Sequence, residues 1–131
     1  MNTKLDKILA EISAGELVDK ITILEIKKNK ITDENKLKEI DKELNSLDDT
    51  MNKFITDKSK ILTFKDQLKE INLKLWDIED SKRMCEKNND FGKNFVELAR
   101  NVYKFNDERA KIKLKINQIL GSNIKEIKSH F

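Results

Sequence analysis

Ser13-Ala14-Gly15-Glu16-Leu17-Val18-Asp19-Lys20-Ile21-Thr22-Ile23-Leu24-Glu25-Ile26-Lys27 is the stretch on which the fold turns. Its second half, Ile21 to Ile26, is β-branched and alternating, as in a strand. Its first half opens like a helix. Ser13 followed by Glu16 is a capping box: the hydroxyl accepts from the Glu16 amide while the Glu16 side chain reaches back to the Ser13 N–H. Leu17, Ile21, Leu24 and Ile31, widened by Val18, then share one helical face, and lysines gather at the exit. Cap and exit favour a helix over 14–31, with a strand over 21–26 as the competing reading.

Working outward, the same periodicity recurs. Leu37, Ile40, Leu44, Leu47, Met51 and Phe54 step by three and four, which is a coiled-coil-like seam for a helix over 33–56 that Thr32 can cap. Ile61, Phe64, Leu68, Ile71, Leu75, Ile78, Lys82 and Cys85 form a second seam, over 60–88. The two seams are out of phase, and the break at Thr56-Asp57-Lys58-Ser59 predicts a tight turn and an antiparallel hairpin, with a single bent helix as the competing reading. Asn88-Asn89-Asp90 is a loop with Asp90 as the expected N-cap. A last seam runs from Phe91 through Phe95, Leu98, Val102, Phe105, Arg109, Ile112 and Ile116 to Ile119, in a helix over 91–120 that Gly121 closes. Leu5, Ile8, Leu9 and Ile12 predict a short helix over 4–12. The tail 122–131 reads as flexible or as an extension docked through Ile124, Ile127 and Phe131.

There is no proline, and the three glycines all fall near helix boundaries. With so few breakers the chain must run as long helices. The expected fold is therefore all-α: one domain over 1–131, an antiparallel bundle of about four long helices plus the short N-terminal one. Net charge is only +3, so no global field calls for nucleic acid or membrane. Counted along the chain, residues 33–56 carry −3 and residues 91–131 carry +5, so the second and last long helices are expected to pack side by side. Lysines on the last helix alternate with Glu97, Asp107 and Glu108, which is wrong for a nucleic-acid stripe. No apolar run has the length of a membrane span. The single cysteine, Cys85, excludes an intrachain disulfide and any cysteine-based zinc site, and points to a reducing, cytoplasmic setting.

Residues that break the apolar pattern mark the candidate site. Arg109 is the one charged residue in the last seam. Beside it lie Tyr103, Asn106, Ala110, Lys113 and Asn117; beside the preceding seam lie Asn72, Trp76, Glu79 and Arg83. A turn about residues 89–90 pairs Asn72 with Arg109, Trp76 with Tyr103 or Lys104, and Glu79 with Arg100 or Asn101. All three arginines and the sole Trp and Tyr thus fall on two neighbouring helices. The bland account is an ion pair that locks the bundle, Arg109 meeting Glu25 or Glu79. The functional account has Arg100, Arg109 and Lys113 holding a phosphate or carboxylate, Trp76 or Tyr103 flanking a ring, and Asn72, Glu79 and Asn106 completing the pocket.

No catalytic arrangement is visible, since His130 is the only histidine and lies in the tail. Glu16-x-x-Asp19 and Asp77-x-x-Asp80 have a spacing that can hold magnesium, but in so charged a chain both read as solvated faces. No metal or cofactor is expected.

Three stretches carry a resemblance: Gly15 to Lys27, Leu75-Trp76-Asp77-Ile78-Glu79-Asp80, and Leu98-Ala99-Arg100-Asn101-Val102-Tyr103 with Asn106-Asp107-Glu108-Arg109-Ala110. Together they resemble a small family of bacterial and phage proteins classed as a domain of unknown function, over residues 13–131. The resemblance implies a cytoplasmic helical protein and transfers no role to any residue. The leading expectation is a non-enzymatic interaction or scaffold protein that self-associates, since seams including Met51 and Phe54 exceed what one chain covers. The rival is a bundle that binds or processes an anionic small molecule at the polar face between 60–88 and 91–120.

Overall fold

The structure, a computed structural model, describes residues 4–128. Four helices account for most of it: α1 (Ala14–Lys30), α2 (Glu34–Phe54), α3 (Leu62–Lys87) and α4 (Lys93–Leu120), with a single 3-10 turn at Lys58–Lys60. No strand occurs among the described residues. Each helix ends within two residues of where the periodicity places it, although α2 is capped by Asp33 and not by Thr32. Ser13 caps α1 by accepting from the Glu16 amide at 3.1 Å, and Asp33 caps α2 by accepting from the Asn35 and Lys36 amides. Gly121 ends α4 in the left-handed conformation, φ 63°, where a Cβ is costly.

The run Ile21–Ile26 is helical. Its strand-like look has a packing cause: α1 lies against α2, α3 and α4. Leu17, Val18, Ile21 and Leu24 are buried on one arc, and Gly15, Asp19, Thr22 and Ile26 on the next. A helix enclosed on several sides loses its single apolar stripe. Around it gather Ile40, Leu44 and Met51 of α2, Leu68 and Ile71 of α3, and Ile112 and Ile116 of α4.

Helices α3 and α4 form the long hairpin in the expected register. The Lys74 ammonium lies 5.3 Å from the Phe105 ring centre and that of Lys115 lies 6.0 Å from Phe64. Asn94 Nδ2 lies 3.8 Å from Cys85 Sγ. The turn takes a left-handed residue at Asn89 and is capped by Gly92; Asp90, expected as the cap, instead accepts from the Gly92 amide at 3.3 Å. Helix α1 starts on α4 and ends on α3, covering only the part of the hairpin remote from the turn. Near the turn the seam is less covered, and Phe91 stays half exposed.

Four expectations need correction. Residues 4–12 form no helix: Leu5, Ile8 and Leu9 are more than 80% exposed, and nine residues without a surface to bury against do not hold a helix in water. Helices α2 and α3 are not a packed hairpin, because α2 packs chiefly on α1. The linker between them is long enough to bury Ile55 and Ile61 in the core and send the chain elsewhere. For the same reason acidic α2 does not pair with basic α4; its Asp41 meets Lys28 of α1 at 3.0 Å. The tail docks as far as Lys128, but through polar contacts, since Ile127 is 92% exposed. His130 and Phe131 lie outside the described residues. Met51 is buried within this chain while Phe54 stays exposed.

Gly15 sits inside the first turn of α1, where a Cβ would lie 2.4 Å from the Lys113 carbonyl oxygen and 3.0 Å from Asn117 Oδ1. It is there for close approach of two helices, not to break one. Gly15→Ala should lower unfolding free energy by about 1–3 kcal/mol in urea titrations. Gly92→Ala, whose new Cβ meets only Asp90 Oδ1 at 3.6 Å, should cost less, about 0.5–1 kcal/mol, because alanine is a poorer N-cap than glycine.

Candidate functional site

A ladder of polar rungs joins α1 to α4. The Gly15 amide donates to Asn117 Oδ1 at 2.6 Å. Lys113 donates to Glu16 at 2.6 Å. One turn further on, Arg109 meets Asp19. The spacing is that of two helical faces, with Arg109, Lys113 and Asn117 at intervals of four on α4.

Asp19 is the unusual member, an aspartate with 0% exposure. Its cost of desolvation is met by four contacts. Arg109 Nε donates to Oδ1 at 2.9 Å and to Oδ2 at 3.1 Å, and Nη2 donates to Oδ2 at short range. Asn72 Nδ2 of α3 donates to Oδ1 at 2.9 Å. Asn72 also donates to Thr22 Oγ1 at 2.9 Å, and that hydroxyl donates to the Asp19 carbonyl at 2.7 Å. The Asp19 hydrogen bond raises the Arg109 pKa further above its usual value against the opposing effect of burial. The guanidinium is thus fixed as a cation.

A guanidinium has two edges that can each grip a carboxylate or phosphate. Asp19 occupies the Nε–Nη2 edge. The Nη1–Nη2 edge has only a long contact, Nη1 to Asn106 Oδ1 at 3.5 Å, and the side chain is 28% exposed. Arg109 lines a groove of about 470 Å³ between α1 and α3. Ile23 and Ile26 of α1 form one wall; Asn72, Leu75, Trp76, Glu79, Asp80 and Arg83 of α3 form the other. Trp76 is half-buried.

The residues singled out from the sequence therefore divide. Asn72, Trp76, Glu79 and Arg109 come together, and Asn106 lies beside Arg109. Lys113 does not join them. It lines a separate cleft of about 240 Å³ under the tail, bound to Glu16 and, at 3.2 Å, to Glu126. Arg100 and Tyr103 are exposed and do not line the groove. Arg109 pairs with neither Glu25 nor Glu79. Glu25 meets Lys65 and Lys69 at 3.5 and 3.6 Å, and Glu79 meets Lys82 at 3.3 Å and Arg83 at 4.0 Å. Asn117, in the same polar row as Asn106 and Lys113, reaches Gly15 of α1. Asp19, read from sequence as a solvated carboxylate, is the buried centre of the network, and Thr22 is its unforeseen companion. The missed signal was their place among apolar residues on more than one face of α1.

The capping box is half formed. Ser13 accepts from the Glu16 amide, but its hydroxyl donates to Glu126 at 2.6 Å and the Glu16 carboxylate turns to Lys113. Partial burial pushes the Glu126 carboxyl up, yet the Ser13 and Lys113 hydrogen bonds and the Lys113 charge outweigh it and hold it below its usual value. Burial likewise opposes the Lys113 cation, and Glu16 and Glu126 overcome it, raising that pKa. Among the described residues, no group of three or more His, Cys, Asp or Glu side chains is placed to hold a metal ion, and no helix is long and apolar enough to cross a membrane.

Asp19→Ala leaves the Arg109 cation and the Asn72 amide unpaired and should cost about 3–5 kcal/mol in chemical denaturation. Glu126, with its folded pKa depressed, adds stability that is present above its unfolded value of 4.5 and is lost as pH falls through the lower folded value. Glu126→Gln should therefore shift the melting temperature less than the parent's between neutral pH and acid.

Residues 8–130 match the model of a family of unknown function, DUF6165, so the chain belongs to that family. No curated protein and no solved structure matches it.

Proposed function

We propose that this member of a family without an assigned role binds a small anionic ligand in the groove between α1 and α3, with Arg109 as the anchor. The observation that supports this is the division of the guanidinium. A buried carboxylate fixes one edge in place, so the other is held rigid and pointed, not free to search rotamers. Pre-organised donors bind more tightly because less ordering is required on association. The groove's volume lies within the ordinary range for small-ligand sites, and its apolar floor with a few polar groups is the usual composition of such sites. Arg109 and not Lys113 carries the anchor, since Lys113 is already neutralised by two carboxylates.

A second reading, a protein that self-associates, is supported by one observation. Leu5, Ile8 and Leu9 are exposed beside the folded bundle. It expects a solution mass above 15.4 kDa by light scattering; a strict monomer over the accessible concentration range would exclude it.

The anchor can be tested without unfolding the protein. Asp19→Asn with Arg109→Gln removes both charges together, so neither is left buried without its partner, and circular dichroism checks that the double variant is folded. Titration with inorganic phosphate and with small carboxylates, read by thermal shift, should stabilise the parent by about 2.7 kcal/mol at a hundred times the dissociation constant. The double variant should lose that response. A response that survives in the folded double variant removes Arg109 from the site.

A further inference from the structure

The groove has a second end that an anion alone does not use. Asn72, Trp76, Asp80 and Arg83 share one face of α3, and the distance from Asn72 to Arg83 is about 16 Å along the helix. Arg109 stands at the Asn72 end. Asn72 directs its amide nitrogen to Asp19 and Thr22, which leaves its amide oxygen as an acceptor at the groove wall. Trp76, the sole tryptophan, lies in the middle. Glu79 and Asp80 occupy the other end. Glu79 is engaged by Lys82 and Arg83, but Asp80 joins no ion pair among the described residues.

Each zone excludes something. An ionised carboxylate only accepts hydrogen bonds, so a second anionic group on the ligand makes none with Asp80. Asp80 is exposed, so water screens any ammonium placed on it and a zwitterion gains little there. A carboxylate does accept two hydroxyl hydrogens at once. An indole offers an apolar face to a ring that has C–H groups on one side and hydroxyls on its rim. Taken together with the anchor at Arg109, on whose binding role this step rests, we infer that the groove takes an acid-bearing polyhydroxylated ring: a sugar phosphate or a sugar acid. Its acid sits on the open edge of Arg109, its ring lies against Trp76, and its hydroxyls donate to Asp80 and to the Asn72 amide oxygen.

Trp76 supplies the readout, because all tryptophan fluorescence comes from the groove. The full chain is titrated with glucose 6-phosphate and with glucuronate, and for comparison with glucose, inorganic phosphate, propionate and the zwitterion phosphoserine. Glucose 6-phosphate or glucuronate should bind at least tenfold more tightly than glucose and than its own acid alone. Asp80→Asn, an exposed substitution that leaves the fold intact, should weaken that acidic sugar tenfold or more and leave inorganic phosphate and propionate unchanged. If phosphate or propionate binds as tightly as the matching acidic sugar, or if Asp80→Asn changes nothing, the sugar inference fails while the Arg109 anchor stands. Tighter binding of phosphoserine than of either acidic sugar overturns it in favour of a zwitterion. If no anion binds at all, the anchor fails, and the sugar inference with it.

Discussion

Asp19 is a full negative charge with no contact to water, and the rest of the molecule is arranged to make that tolerable. An unpaired buried carboxylate would either pick up a proton or destabilise the fold by several kcal/mol. Here three helices contribute to its neutralisation: α1 supplies the acid, α4 the guanidinium and α3 the amide. The same constraint fixes where those helices can lie. Arg109 can reach Oδ1 and Oδ2 together, and Asn72 can bridge Asp19 and Thr22, only while α1 rests in the notch between α3 and α4. The apolar core of Val18, Ile21, Leu68 and Ile116 would accept many small slides of one helix past another. The polar network does not, which makes it a register device as well as a source of the open arginine edge.

The start of α1 follows the same logic. The first four amides of a helix have no partner within it. In α1 three of them are met by side chains: Ala14 by the Ser122 hydroxyl at 3.1 Å, Gly15 by Asn117, and Glu16 by the Ser13 hydroxyl; the Leu17 amide makes the first bond within the helix, to the Ser13 carbonyl at 3.1 Å. Two of those partners come from the far end of the chain. That pairing ties the start of α1 to the end of α4. It also explains why Gly15 belongs inside a helix, where glycine is otherwise unfavourable: the amide can reach Asn117 only if the backbones nearly touch.

What was legible in the sequence was whatever obeys local periodicity. The seam from Ile61 to Cys85 is buried or half-buried at every position, and the turn about residues 89–90 puts Asn72 and Arg109 on a common partner. What was not legible depends on a third helix. Two-helix levels could pair Asn72 with Arg109 but could not show that α1 crosses there and brings Asp19. An aspartate on a charged chain has nothing in its neighbours that separates a solvated acid from a buried one, and only the enclosure of α1 on several sides decides it. Helical spacing over residues 5–12 misled for the opposite reason. The pattern was present, but no surface was there to reward it. Lys113 looked like a companion of Arg109 because the two share a face at i, i+4, yet α1 lies over that face and sends them to opposite flanks.

That partition has a mechanical consequence. The Glu16–Lys113 and Asp19–Arg109 rungs are less than one turn apart on α1 and about one turn apart on α4, so both helices enter the contact as rigid rods with two fixed points. Two fixed points remove rotation as well as sliding. The wall of the groove that carries Ile23 and Ile26 begins within one turn of the second rung. Glu16 and Ile23, seven residues apart, share one face of α1, so the contacts that close Ser13, Glu126 and Lys113 against the bundle also bear on the wall's position relative to Trp76. A groove shaped in this way keeps its dimensions without filling its own volume with side chains. The ladder thus holds α1 in place from α4, while Asn72 and Arg109 belong at once to the network and to the groove wall.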